Sequence, residues 1–228
     1  MNLFINNGIK QFSFRGFVFI AALLFANLVS AQDVEKEDPY QMVQDVASKT
    51  FERIKKQQDK IKADPEILRA IMEDELMPYI NYRFSAYKVL GKYARNADKK
   101  DLLEFITVFR QYLITSYAVA MGYYDDQVVE FEPAKSFDDR TDVTVRAVIK
   151  DDGRPDIKVA FKVRKDRKSN EWAAYDMIAE GISLLSSKQS EFEEVLRKDG
   201  IQKVIALMRE SISQPIQLEA TSEASTGS

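Results

Sequence analysis

The stretch VTVRAVIKDDGRPDIKVAFKVR, residues 143–164, decides the fold. In its first half Val143, Val145, Ala147 and Ile149 alternate with Thr144, Arg146 and Lys150. Successive side chains of a strand point to opposite faces, so the four apolar residues share one face. Asp151-Asp152-Gly153 then supplies hairpin-turn chemistry, and Ile157, Val159, Phe161 and Val163 alternate against Lys158, Lys162 and Arg164 in the second half. Two antiparallel strands therefore present eight apolar side chains on one face.

Downstream, Lys165 to Asn170 is a polar turn and Trp172 to Met177 a further strand. Its facing is ambiguous, because Trp172 and Asp176 share one parity while Tyr175 and Met177 share the other. Upstream, Val128 to Phe131 is a short first strand closed by Pro133. These segments predict a four-stranded antiparallel meander.

Helical periodicity brackets the sheet. Asp38-Pro39 and Asp64-Pro65 are cap and first-turn pairs, since a short acidic side chain accepts from orphan N–H groups and proline needs no donor there. They predict helices over about Pro39 to Ala63, burying Val43, Val46, Ala47, Thr50, Ile54 and Ile61, and over Pro65 to Met77, with Leu68, Ile71 and Met72 on one face. Pro78 opens a third helix to Leu90, carrying Tyr79, Ile80, Tyr82, Phe84, Tyr87 and Leu90, and Gly91 ends it. The longest helix spans about Asp98 to Met121, where Phe105, Phe109, Leu113, Tyr117 and Met121 recur every fourth residue. That stripe is expected to lie opposite the apolar sheet face. Leu184 to Leu196 and Ile201 to Ile212, separated by Gly200, are the last two helices, and the polar tail from Gln214 to Ser228 reads as disordered. The order gives an α+β fold, one curved sheet with helices on one face.

Composition narrows the function. The 228 residues include neither Cys nor His, which excludes the usual zinc sites, Cys-His and Ser-His-Asp catalysis and thiol redox chemistry. The first thirty-one residues carry Lys10 and Arg15, an apolar run from Gly16 to Val29 and small residues at Val29-Ser30-Ala31, which together read as a cleaved secretory signal peptide. The run of fourteen is shorter than the roughly 20 residues that cross a bilayer. Residues 32–228 then keep a formal charge of −5, and no basic cluster interleaved with aromatics is present, so nucleic acid is discarded as a partner.

Reactive patterns are few. Ser85-Ala86-Tyr87-Lys88 matches a Ser-x-x-Lys nucleophile without its companion motifs. Asp176 and Glu180 could pair as acid and base, yet either suits a cap or turn. The acidic doublets Asp125-Asp126, Asp138-Asp139 and Asp151-Asp152 lack the spacing of a calcium loop. The apolar sheet face and the aromatic helix stripe are left as the candidate site. A binding cavity for an apolar ligand and a solid core both fit them.

The run Trp172-Ala173-Ala174-Tyr175-Asp176-Met177-Ile178-Ala179-Glu180-Gly181-Ile182-Ser183 resembles the signature of the MlaC family of Gram-negative bacteria, as do Leu90-Gly91-Lys92-Tyr93, the Phe105, Phe109, Leu113, Tyr117 spacing, Asp38-Pro39-Tyr40 and the Gly200 break. The resemblance covers about Asp38 to Ser213. It implies a nuclear-transport-factor-2-like fold in which a four-stranded sheet and a helix layer enclose acyl chains. It also implies a non-enzymatic periplasmic phospholipid carrier with no cofactor. The implied partners are an outer-membrane lipoprotein-porin complex and an inner-membrane ABC transporter complex carrying a hexameric lipid-binding ring, with outer-membrane lipid asymmetry as the outcome. The expected division is a signal peptide over 1–31, a phospholipid-binding domain over 32–213 and a tail over 214–228. The residues expected to face lipid are Tyr82, Leu90, Tyr93 and the stripe Phe105, Phe109, Leu113 and Tyr117 on the helices, with Val145, Ala147, Ile149, Val159, Phe161, Val163 and Trp172 on the sheet. Two other readings are a periplasmic protein-interaction module with a solid core and a hydrolase using Asp176 and Glu180.

Overall fold

Asp38 starts the first helix as its sequence predicts, its carboxylate accepting from the N–H groups of Tyr40 at 2.8 Å and Gln41 at 3.1 Å. A computed structural model describes residues 34–124, 126–150 and 155–218. The signal peptide read at 1–31 and the Asp151-Asp152-Gly153 turn lie outside the described residues.

The first helix divides at Gln57 into α1 (Pro39–Lys56) and α2 (Gln58–Ala63). Next come a short α3 (Ile67–Ile71), a widened turn over Met72–Leu76 and a tight 3-10 turn over Met77–Tyr79. Pro78 does not open the following helix. Ile80 is extended and bridges to Ala174, the Asn81 N–H donates to the Ala174 carbonyl at 2.7 Å, and the Asn81 side chain caps α4 (Tyr82–Leu90). A free strand edge offers backbone partners that a helical turn at residues 80–81 would waste. After Gly91, whose φ of 52° stops the helix, and a 3-10 segment Gly91–Arg95, α5 runs over Lys99–Met121. The last helices are α6 (Leu184–Lys198) and α7 (Gly200–Ser213).

Among the described residues the sheet has five strands in sequence order: β1 (Val128–Phe131), β2 (Asp142–Lys150), β3 (Ile157–Lys165), β4 (Trp172–Ala179) and β5 (Ile182–Ser183), all antiparallel. The expected α+β class holds, with one strand more than the four expected. Glu180 at φ 48° and Gly181 at φ 81° are the two positive-φ residues of a primed hairpin turn, which returns the chain onto Ile178 and Ala179. Turn chemistry alone does not show that only two residues beyond it will pair.

A register shift settles the facing of β4. Lys162 pairs with Asp176 and Val163 with Ala174, so Tyr175 is an extra residue. Trp172 and Ala174 before it, and Met177 and Ala179 after it, consequently share the inward face. Tyr175 instead packs edge-on against Phe84, with centroids 5.0 Å apart.

Two apolar clusters hold the molecule. One joins α1 to the sheet through Met42, Val43, Val46, Val143, Val145, Val163 and Trp172. The other is helical and gathers Phe105, Phe109 and Leu113 of α5 with Leu68, Ile71, Leu196, Val204, Ile205 and Met208. Helix α5 packs against α7, α3 and α4. The placement of its stripe opposite the sheet is thus corrected for Phe105 and Phe109, both fully buried among helices. Periodicity defines a helix face but not what that face meets, and α7 supplies the partner side chains.

The packed chain also continues past Ser213, so the disordered tail expected from Gln214 does not begin there. Ile216 is buried, its N–H donates to Glu66 Oε1 at 2.7 Å, and Arg69 reaches the Gln214 carbonyl at 2.7 Å and the Thr115 hydroxyl. The Ile216 N–H, and next the Arg69 guanidinium, hold the Glu66 carboxyl below its ordinary range. A depressed carboxylate stabilises above its unfolded pKa and loses that contribution as pH falls through its folded pKa. Protection of the Ile216 amide, taken relative to its intrinsic exchange rate, is therefore expected to be high at pH 6 and to be lost only when acid protonates Glu66, below the ordinary carboxylate range. Glu66→Gln should free this segment at neutral pH; unchanged protection in that variant would remove Glu66 as its anchor.

Candidate functional site: an apolar sheet face with one open end

Cross-strand pairs place the inward side chains in rows. The first is Val143–Val163–Ala174 and the second Val145–Phe161–Met177. The third runs across all five strands as Phe131–Ala147–Val159–Ala179–Ile182, and the fourth is Val129–Ile149–Ile157. Every member is apolar.

Exposure rises across these rows. Val143, Val145, Val163 and Ala174 are buried, the first three under α1. Ala147 and Val159 are buried too, yet they belong to neither contiguous cluster. Phe161, Ile149, Met177 and Ala179 are half-buried, while Ile157 is 42% and Ile182 62% exposed. The face thus begins as core and ends at solvent, and no charged residue falls within these four rows.

Tyr117 packs against the helical cluster. Burial first, and the Asp176 carboxylate second, push its phenol up to about 12, so it is neutral at any physiological pH. Asp176 accepts from the Ser183 hydroxyl at 2.8 Å and from the Leu185 N–H at 3.1 Å, fixing the start of α6. Glu180 accepts from the Lys158 N–H. Both carboxylates thus have structural partners, in accord with their cap and turn reading. Ser85 is likewise 1% exposed and donates to the Tyr175 carbonyl at 2.7 Å, while Lys88 sits over the Phe84 ring. No metal-holding cluster of acidic residues occurs among the described residues.

The residues expected to face lipid therefore separate. Val145, Ala147, Ile149, Val159, Phe161 and Val163 share the sheet face, joined by Trp172 through the bulge. Leu90, Phe105, Phe109 and Leu113 are inside the helical cluster, with Tyr82, Tyr93 and Tyr117 packed against it. Tyr82 also lies beneath the Arg110 guanidinium, and the Tyr93 hydroxyl donates to Glu193. Met177, Ala179 and Ile182 share the sheet face and were not among the candidates, because the bulge and the turn hide their parity from a period-two pattern.

An antiparallel sheet met by α1, α4 and α6, with an apolar face that is covered by α1 at one end and exposed at the other, defines an α+β protein of the class that can bind an apolar ligand. The family model described as MlaC protein matches residues 44–210, and the chain belongs to the MlaC family. It is 34% identical over 201 residues to the intermembrane phospholipid transport system binding protein MlaC of Haemophilus influenzae, covering 88% of this chain and 94% of that one. Its fold matches that of a phospholipid-binding protein of Ralstonia solanacearum, solved in complex with a phospholipid, with a TM-score of 0.69. That match spans 78% of this chain and 98% of the other at 21% identity.

Proposed function

We propose that this protein is a periplasmic phospholipid carrier that holds acyl chains against the inward sheet face and moves lipid between membranes. The observation that carries the reading is the set of apolar rows, of which the fourth, and all of the third except Phe131, fall outside both packed clusters. Membership of the MlaC family and the lipid named for its relatives support it.

Energetics explain why such a carrier is required. Two acyl chains expose about 30 methylenes, and at roughly 0.8 kcal/mol each their hydration costs on the order of 20 kcal/mol or more. Free transit of a phospholipid through water is therefore negligible. Binding near that limit also makes spontaneous release slow, so unloading calls for a partner that favours a more open state. The sequence has no glycine-rich phosphate loop, so the energy for directional transfer comes from the partners: an outer-membrane lipoprotein-porin complex on one side and an ABC transporter complex with a hexameric lipid-binding ring on the other. The protein itself carries out no chemical step, takes no cofactor other than its lipid cargo, and contributes to outer-membrane lipid asymmetry.

Residues 1–31 are removed on export, so the intact mass of the mature protein should correspond to a chain beginning at Gln32. Solvent extraction and mass spectrometry of that protein should recover diacyl phospholipid in the head-group proportions of the envelope. Repeated gentle preparations without lipid would favour the solid-core interaction module.

A further inference from the structure

The rows do more than form a wall, since they run out to solvent in a definite direction. Ala147 and Val159 in the third row are buried, Ala179 beside them is half-buried, and Ile182 at its end is 62% exposed. Ile157, paired with Ile149 in the last row, is 42% exposed, and Leu184 stands two residues beyond Ile182. A large aliphatic side chain left in water at the end of a continuous apolar row is unfavourable for a finished core. It is what a passage for an apolar ligand requires.

We propose that the sheet end bounded by Ile157 and Ile182 is the portal through which acyl chains enter and leave. The inference rests on the carrier reading and adds a place and a direction to it. The opposite end is closed, because α1 and Tyr79 pack over Val143, Val145, Val163 and Trp172. Among the described residues near this end, Lys150 pairs with Asp156 and Lys55 with Asp126 at 2.7 Å, while Glu180, in the turn before Ile182, accepts from the Lys158 N–H.

The chain has no cysteine, so single thiols can be placed at will. Ile157→Cys and Ile182→Cys, each carrying a polarity-sensitive fluorophore, are mixed lipid-free with vesicles of phosphatidylethanolamine and phosphatidylglycerol. Both labels should shift to the blue as lipid loads, whereas a label at Lys158→Cys, next in sequence but on the opposite face, should not. Independently, Ile182→Arg should slow transfer to acceptor vesicles at least tenfold. Its melting temperature should stay at the wild-type value, because the side chain is exposed. Wild-type transfer rates in both Ile157→Arg and Ile182→Arg, or an equal blue shift at Lys158→Cys, overturn the portal while leaving a lipid-loaded carrier. Lipid-free wild-type protein overturns the carrier reading and the portal with it.

Discussion

Val159→Glu should yield a folded protein that carries at least tenfold less lipid. Val159 sits at the middle of the third row, opposite Ala147 on one side and Ala179 on the other, and belongs to neither packed cluster. With acyl chains present, the new carboxylate would lie unpaired in an apolar medium, at a cost of several kcal/mol, and each 1.4 kcal/mol is about a factor of ten in binding. Val159 is itself buried, so the melting temperature should fall, but with only small Ala147 and Ala179 beside it in the row the folded state should be kept. A solid core gives the reverse result, loss of the folded state. Lys162→Gln is the control. Lys162 points to the other face and pairs with Asp176, so charge removal rather than reversal avoids setting like charges opposite one another. It should stay loaded, with stability within about 0.5 kcal/mol of wild type. Lipid extraction and circular dichroism melts on both variants decide the matter.

The second large effect is on stability. Phe109 is fully buried, its ring 5.8 Å from Phe105 and 6.4 Å from Tyr112, which in turn meets Phe192 of α6 at 6.2 Å. This aromatic chain ties α5 to the C-terminal helices. Phe109→Ala should cost about 3–5 kcal/mol through lost burial and the cavity left behind. At about 2–4 °C per kcal/mol for a domain of this size, the melting temperature should fall by roughly 6–20 °C. Lipid per folded molecule should remain within twofold of wild type, since the ring faces helices rather than the sheet. A variant that keeps its melting temperature but loses lipid would put the stripe back in the cavity wall.

These two variants separate what one pattern had joined. The strands at 143–149 and 157–163 were legible because each strand carries its apolar residues at period two over seven positions, and their pairing follows from the hairpin. The α5 stripe was equally legible as a stripe, and its residues are buried. Its partner was not legible, because a fourfold repeat is the same whether the face meets a sheet or another helix. Leu90 illustrates the same limit: it is 1% exposed, as an apolar residue at a helix end suggests, but it contributes to the helical cluster.

Residue type and local spacing were enough for the class of fold, the sheet face, the cap at Asp38, the lack of thiol and imidazole chemistry, and the family resemblance. Tertiary structure alone decided the rest. The free edge of β4 drew Ile80 and Asn81 out of the helix that Pro78 suggested. The unopposed Tyr175 turned Met177 and Ala179 inward, and the Glu180-Gly181 turn added Ile182 to the row they form. Glu66 and Arg69 fastened Ile216, which lies 150 residues from Glu66. All of these depend on backbone groups or side chains distant in sequence competing for one partner. Such a competition is resolved only when the chain has brought them together.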